Sequence, residues 1–417
     1  MTPTYSKDEF PRAAVRPAVA IRSSTISPFM VMEVLRAANA RQAAGGDVLH
    51  LEIGQPSTPA PRGVIAAAAH ALAADRLAYT DALGLPALRE GIARWYQDRH
   101  GAVIDPRRVV VTTGSSGAFL LAFLAAFDPG DRVALAAPGY PAYRNILKSA
   151  GLVPVELSTG PETRFQPTPA LLDALLAADG RDGGGGPLRG LIVASPSNPT
   201  GTMLDAMGMA ALGDWCRRHG VWLISDEIYH GIEYGTVPAA TALDYEGGEG
   251  AITINSFSKY FSMTGWRLGW AVVPERLVRP MECLAQNVYI SPPTLSQHAA
   301  VAAFDCVEEL EGHVARYRRN RDILLNLLPG AGFGRLAPAD GAFFIYADIS
   351  DRTDDAQAFC TRLLNETGVA LTPGVDFDPV RGHHTVRISF AGAEAEMVEA
   401  ARRLKAWRGS GRGSGRE

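Results

Sequence analysis

Between about residue 105 and residue 275, seven short aliphatic runs alternate with alanine- and leucine-rich stretches of helical length. The runs are VVVTT at 109–113, RVALAA at 132–137, VPVEL at 153–157, GLIVAS at 190–195, VWLIS at 221–225, AITIN at 251–255 and LGWAVV at 268–273. Near-continuous apolar strands are buried on both faces, and strands that alternate with helices are joined by crossovers. The pattern therefore predicts an α/β domain built on a large, mostly parallel seven-stranded sheet. Several runs end directly in polar sequence: TGSSG at 113–117, PGYPAY at 138–143, SPSNPTG at 195–201, and Asp226 followed by EIY. Open α/β sheets bind ligands at the carboxyl ends of their strands, so these endings are expected to converge on one crevice.

A chain of 417 residues has room for two or three lobes. After Pro293 a helical pattern runs from Ser296 to about Leu328, where the glycine-rich turn in LLPGAGFG ends it. Beyond it, FFIYADI at 343–349, an acid-bounded helix near 353–367 and VRISFA at 386–391 suggest a smaller α+β domain. The opening fifty residues form no sheet of their own and are expected to pack beside that lobe. The expected division is an N-terminal segment over 1–50, a large domain over 51–295, a small domain over 296–408 and a disordered tail, GSGRGSGRE, over 409–417. RDGGGG at 181–186 reads as a flexible surface linker inside the large domain.

Composition narrows the function class. Hydrophobic residues at 47% and charged residues at 20% exclude wholesale disorder. Forty basic against 44 acidic residues leave a net charge of −4, too weak a field to imply nucleic acid or an acidic membrane as partner, and a small-molecule function is favoured. The longest apolar stretch, Ala118 to Phe127, falls well short of the roughly 20 residues that span a bilayer. The N-terminus has no apolar signal core. Cys216, Cys283, Cys306 and Cys360 are widely spaced and form no CxxC unit, which fits a reduced, cytoplasmic compartment and no metal centre. Adjacent His383 and His384 point apart rather than around one metal.

The only lysines are Lys7, Lys148, Lys259 and Lys405, so lysine chemistry has few candidates. Ser256-Phe257-Ser258-Lys259, followed by Gly265-Trp266-Arg267-Leu268-Gly269, gathers two hydroxyls, an amine and a guanidinium within twelve residues. A phosphorylated aldehyde needs this set, hydroxyls and arginine for the phosphate and lysine for the carbonyl carbon. A solvated loop lysine would explain an isolated SxSK, but not the apolar strand and second cation that follow. Asp226 ends the run VWLIS with Tyr229 three residues on. An aspartate there can keep a pyridine nitrogen protonated; as a plain alternative it caps a helix.

SPSNPTG at 195–201, DEIYHGIEY at 226–234 and SFSKYFSMTGWRLGW at 256–270 resemble the signatures of fold type I pyridoxal-phosphate enzymes, specifically the class I and II aminotransferases of the aspartate aminotransferase superfamily. The likeness runs from LEIGQPSTPAP to VRISFA, nearly the whole chain. It implies pyridoxal 5′-phosphate as cofactor, with Lys259 as its covalent anchor and the proton shuttle at the substrate α-carbon. It also implies Asp226 on the pyridine nitrogen, Asn198 and Tyr229 on the cofactor O3′, and Ser256, Ser258 and Arg267 on the phosphate. Backbone amides of Ser115 and Ser116 would add to the phosphate site, as suits an anion at a helix N-terminus. Tyr140 matches the residue that stacks on the cofactor ring, with an ordinary core tyrosine as the alternative. Arg387 in VRISF matches the arginine that pairs with the substrate α-carboxylate, with a salt-bridged structural arginine as the alternative. Gly54 in EIGQP would let that carboxylate approach the backbone. Tyr79 matches a tyrosine that reaches the phosphate of a neighbouring subunit, which implies a homodimer with shared active sites.

The implied reaction is a ping-pong transfer of the amino group of an L-amino acid to a 2-oxo acid. Gln55 stands where an acidic residue is common, and Phe29, Met30 and Tyr79 could line an apolar pocket, which favours a neutral or aromatic donor over aspartate. Because the same cofactor set serves other bond cleavages, a C–S β-lyase is the nearest alternative. A cofactor-binding regulator is the alternative of another class; only about fifty residues precede the core, and no basic DNA-binding module is evident.

Overall fold

The computed structural model describes residues 19–74, 77–182, 186–236, 239–245 and 247–407. Residues 183–185 of the expected linker, the tail at 409–417 and the first part of the N-terminal segment lie outside the described residues, and the linker's first two residues instead end the helix Pro169–Asp182. The large sheet has seven strands: β1 (Val109–Thr112), β2 (Arg132–Ala137), β3 (Val153–Ser158), β4 (Leu188–Ala194), β5 (Trp222–Asp226), β6 (Ile252–Ser256) and β7 (Gly269–Val272). Their order is β1-β7-β6-β5-β4-β2-β3. All run parallel except β7, which is antiparallel to both of its neighbours.

Each central strand is apolar on both parities because helices cover both faces. Val110 and Ala271 pack with Phe119 and Phe123 of the helix Gly114–Ala126. Val109, Val111, Trp270 and Val272 face the other way, onto Leu88, Ile92 and Tyr96 of the helix Pro86–His100. Further along the sheet, Leu191, Val193 and Leu223 pack on Met209, Leu212 and Trp215. The register brings the functional edge into line: Asp226 lies between Ala194 and Ile254, and Gly269 is opposite both Ser256 and Thr112. Glycine is required at that junction. A Cβ on Gly269 would stand 2.7 Å from the Gly114 carbonyl carbon and the Ser115 nitrogen.

The smaller sheet consists of β8 (Arg335–Leu336), β9 (Phe344–Asp348), β10 (Thr372–Pro373) and β11 (Thr385–Ser389), antiparallel in the order β10-β11-β9-β8. Leu49–His50 pairs in parallel with Val369–Ala370, and Ala38 of the helix Met30–Ala43 packs with Leu364 and Ala370. The described part of the N-terminal segment is thus joined to C-terminal elements. One expectation is corrected: the single helix from Ser296 to Leu328 is two helices, Thr294–Val301 and Val307–Leu327, joined by a 3₁₀ turn at Ala302–Asp305. The turn seats Phe304 against Phe257 and Phe261 and over Gly91, where a Cβ would meet the ring at 2.7 Å. Glu308 and Glu309 in the first turn of the second helix favour a fresh start there.

The longer helix holds the small domain by a polar pin. Buried Asn320 donates from Nδ2 to the carbonyls of Phe390 and Gly392, each at 2.9 Å, just beyond β11. Asn320→Leu removes both donors and leaves buried carbonyls unpaired. It is expected to cost about 2 kcal/mol in urea denaturation.

Candidate active site

Every strand that ends at the sheet's carboxyl edge near its centre delivers part of one cavity of about 320 Å³. β1 leads into Ser115 and Ser116 at the start of the helix Gly114–Ala126, and β2 leads into Tyr140. β4 leads into Asn198, β5 ends on Asp226 ahead of Tyr229, and β6 runs into the turn that carries Ser258 and Lys259. Arg267 precedes β7, Arg387 comes from β11, and Gly54 follows the short pair at Leu49–His50. All of these line the cavity, with Phe29, Val31, Met32 and Ile53 as its apolar wall. A larger hollow of about 900 Å³ opens at the amino edge of the sheet, around Trp222, Tyr245 and Arg276, and holds none of these groups.

Asp226 is buried. Its Oδ2 accepts from the Tyr143 hydroxyl and its Oδ1 from the Ile228 N–H at 3.0 Å. Burial raises its carboxyl to about 6, against the pull of those two hydrogen bonds and of Lys259. The Lys259 Nζ donates to the Gly54 carbonyl and lies 5.9 Å and 5.8 Å from the Tyr229 and Phe343 ring centres. Burial, with Arg387 and Arg267 nearby, lowers its ammonium to about 8. Burial also raises the Tyr229 phenol.

Arg387 is buried without a carboxylate partner among the described residues. Its Nη1 donates to Asn198 Oδ1 at 2.9 Å, its Nη2 donates to the Glu52 carbonyl, and its Nε has no partner. The guanidinium lies 4.3 Å from the Phe344 ring centre and 4.8 Å from that of Phe377. Burial lowers it to about 10. A buried cation with an unfilled donor is expensive unless an anion completes it, and the open cavity supplies the place. Gly54 is needed here for room: a Cβ would come within 2.8 Å of the Phe344 ring and 3.9 Å of Arg387 Nη1.

Arg267 also has no carboxylate partner among the described residues; its Nη1 donates to the Thr264 carbonyl at 3.0 Å. It adopts a left-handed backbone and lies over Gly114, where a Cβ would stand 2.5 Å from Nη2. Ser258, Ser115 and Ser116 share that end of the cavity. A guanidinium, a hydroxyl and the free N–H groups of a helix start form an oxyanion cradle.

Three of the residues singled out from sequence stand elsewhere. The Ser256 hydroxyl donates to the Leu268 carbonyl at 3.0 Å and accepts from the Ser258 N–H at 3.1 Å, so it sits behind Ser258 rather than on the cavity. Tyr79 is 79% exposed and outside the cavity of its own chain. Met30 is likewise not on the wall, where Val31 and Met32 replace it. Tyr143 is a site residue that the sequence analysis misses: it lies in the first turn of the helix Pro141–Ser149, which Tyr140 precedes as N-cap, and its ring is edge-on to Tyr140 at 5.3 Å. Among the described residues no cluster of side chains could hold a metal ion, and no helix is long and apolar enough to cross a membrane.

A carboxyl at about 6 in the folded protein, against an ordinary 3.8, binds its proton more tightly folded than unfolded. Its contribution is therefore fully favourable below about 3.8 and is lost as pH rises through 6, a difference of about 3 kcal/mol. Asp226→Asn carries no such penalty. The ligand-free variant is expected to be more stable than wild type by about 1–3 kcal/mol at pH 8, with the gap closing below pH 4, in parallel urea titrations.

The residues present fit pyridoxal phosphate: a buried carboxylate for a protonated ring nitrogen, an amine of lowered basicity for its aldehyde, and an anion cradle for its phosphate. Comparison with known proteins gives the same answer. The family model for aminotransferase class I and II matches residues 46–404. The chain is 52% identical over 391 residues to the valine–pyruvate aminotransferase of Mycobacterium tuberculosis, covering 93% of this chain and 98% of that one. It is 33% identical over 390 residues to the aspartate/prephenate aminotransferase of Thermus thermophilus, covering 92% and 97%. The crystal structure of an aminotransferase from Mycobacterium tuberculosis superposes with a TM-score of 0.89 at 51% identity, covering 94% of this chain and 99% of that one. With that fold and that match over nearly its whole length, the chain belongs to the class I and II aminotransferases and is a pyridoxal-phosphate-dependent enzyme.

Proposed function

We propose that this aminotransferase takes its amino group from a neutral L-amino acid with an aliphatic or aromatic side chain, of which valine is the type, and gives it to a small 2-oxo acid such as pyruvate. The observation that carries this reading is the wall of Phe29, Val31, Met32 and Ile53 on the same cavity as Arg387. An apolar wall favours an uncharged side chain, because a second carboxylate placed against it would lose its hydration without a partner. The valine–pyruvate specificity named for the relative at 52% identity supports the same class.

In this reading Arg387 binds the substrate α-carboxylate through its unfilled donors, with Gly54 leaving room for it. Pyridoxal phosphate supplies the aldehyde that accepts the amino group and a ring that withdraws electrons from the α-carbon. Lys259 Nζ anchors it and then removes the α-proton, a task that its lowered basicity suits near neutral pH. Asp226, oriented by Tyr143, would keep the ring nitrogen protonated, and Tyr140 would help to hold the ring. Asn198 and Tyr229 hold the ring oxygen, and Ser115, Ser116, Ser258 and Arg267 hold the phosphate. Ser256 acts through Ser258. The exposed Tyr79 completes the phosphate site of a second copy, which makes the working unit a homodimer.

With the loaded enzyme and pyruvate as acceptor, kcat/KM for L-valine is expected to exceed that for L-aspartate roughly ten-fold or more, with products identified by mass. Equal or faster turnover of aspartate refutes the substrate class. Sedimentation of the loaded enzyme is expected to give about twice the 44.4 kDa chain mass, and a monomer of full activity refutes the shared site.

A further inference from the structure

The apolar wall of the cavity begins a helix that cannot cap itself. Phe29 occupies the N-cap position of the helix Met30–Ala43, and its side chain offers no acceptor to the first N–H groups. The missing acceptor comes from the far end of the chain. Asp376 Oδ1 accepts from the Met30 N–H and Oδ2 from the Val31 N–H, each at 3.2 Å, across a separation of about 345 residues. Asp376 is 5% exposed and ends the turn Gly374–Asp376 that follows β10.

The same turn touches the other walls of the site. The Asp376 carbonyl accepts from Arg144 Nη2 at 2.8 Å, and the Phe377 carbonyl accepts from the Gly139 N–H at 3.0 Å, next to Tyr140. The Phe377 ring lies against the Arg387 guanidinium. Phe29, at the capped end, has its ring centre 6.0 Å from that of Tyr140. We propose that Asp376 is a specificity-determining positioning residue: by capping the helix at Met30 and Val31 from the far end of the chain, it sets how closely Phe29, Val31 and Met32 approach the substrate side chain. This inference rests on the assignment of that wall to the substrate side chain. It assigns Asp376 no contact with substrate or cofactor.

The test uses the cofactor-loaded enzyme, with Asp376→Ala and the milder Asp376→Asn, which keeps one acceptor oxygen. Each is assayed with L-alanine and with whichever larger donor wild type uses best, so that a different donor class leaves the test intact. Asp376→Ala is expected to raise KM for the larger donor about ten-fold while changing KM for L-alanine less than about two-fold, with Asp376→Asn between the two. Hydrogen exchange of the loaded enzyme is expected to speed up at residues 29–34 and stay unchanged at 114–123. An equal change in KM for both donors, or unaltered exchange at 29–34 in both variants, overturns the proposal. If Asp376→Ala does not fold, the same two readouts on Asp376→Asn decide it.

Discussion

A buried carboxylate at the carboxyl end of the central strand is the constraint around which this molecule is organised. Asp226 closes β5, the fourth of seven strands, and is flanked in register by Ala194 and Ile254. Its position depends on the parallel arrangement of β4, β5 and β6, which ends three strands at one level and opens three loops into the same space. Its orientation depends on Tyr143 and on the Ile228 N–H. Because the sheet is packed on both faces, neither strand nor carboxylate can shift without disturbing the cores on either side.

The cavity so formed is electrostatically incomplete without its ligands. Lys259, Arg267 and Arg387 face it, and the charge that opposes them is Asp226. Burial lowers the amine and raises the carboxyl, so these groups hold their charges at a cost in stability. Such a cost is the usual mark of a site shaped for a ligand rather than for the fold. In the proposed reading, a phosphate, a protonated ring nitrogen and a substrate carboxylate would answer these groups.

The two chain ends supply what the large sheet lacks. β11 delivers Arg387, the short pairing of Leu49–His50 with Val369–Ala370 leads to Gly54, and the turn after β10 caps the helix that carries the apolar wall. The cavity thus draws Asp226, Lys259 and Arg267 from the large sheet, and Arg387, Gly54 and the apolar wall from elements nearer the two termini.

Much of this was legible in the sequence because it is local. Apolar runs of strand length mark the sheet, and the polar residues that follow each run lie within a few positions of a strand end, so backbone connectivity alone carries Lys259, Asp226, Asn198 and Arg267 to one edge. Composition and periodicity also separate the second, smaller domain. What the tertiary structure decided involves partners far apart in the chain: Arg387 with Asn198, 189 residues away, and Asp376 with the helix start at Met30. It also decided which of two nearby serines faces the cavity, since Ser256 turns to the carbonyl of Leu268 across the strand pair and leaves Ser258 on the lining. It broke one apparent helix at Ala302–Asp305 to seat Phe304. No local propensity encodes these choices; they follow from which surfaces meet once the sheet, its helices and the two chain ends pack together.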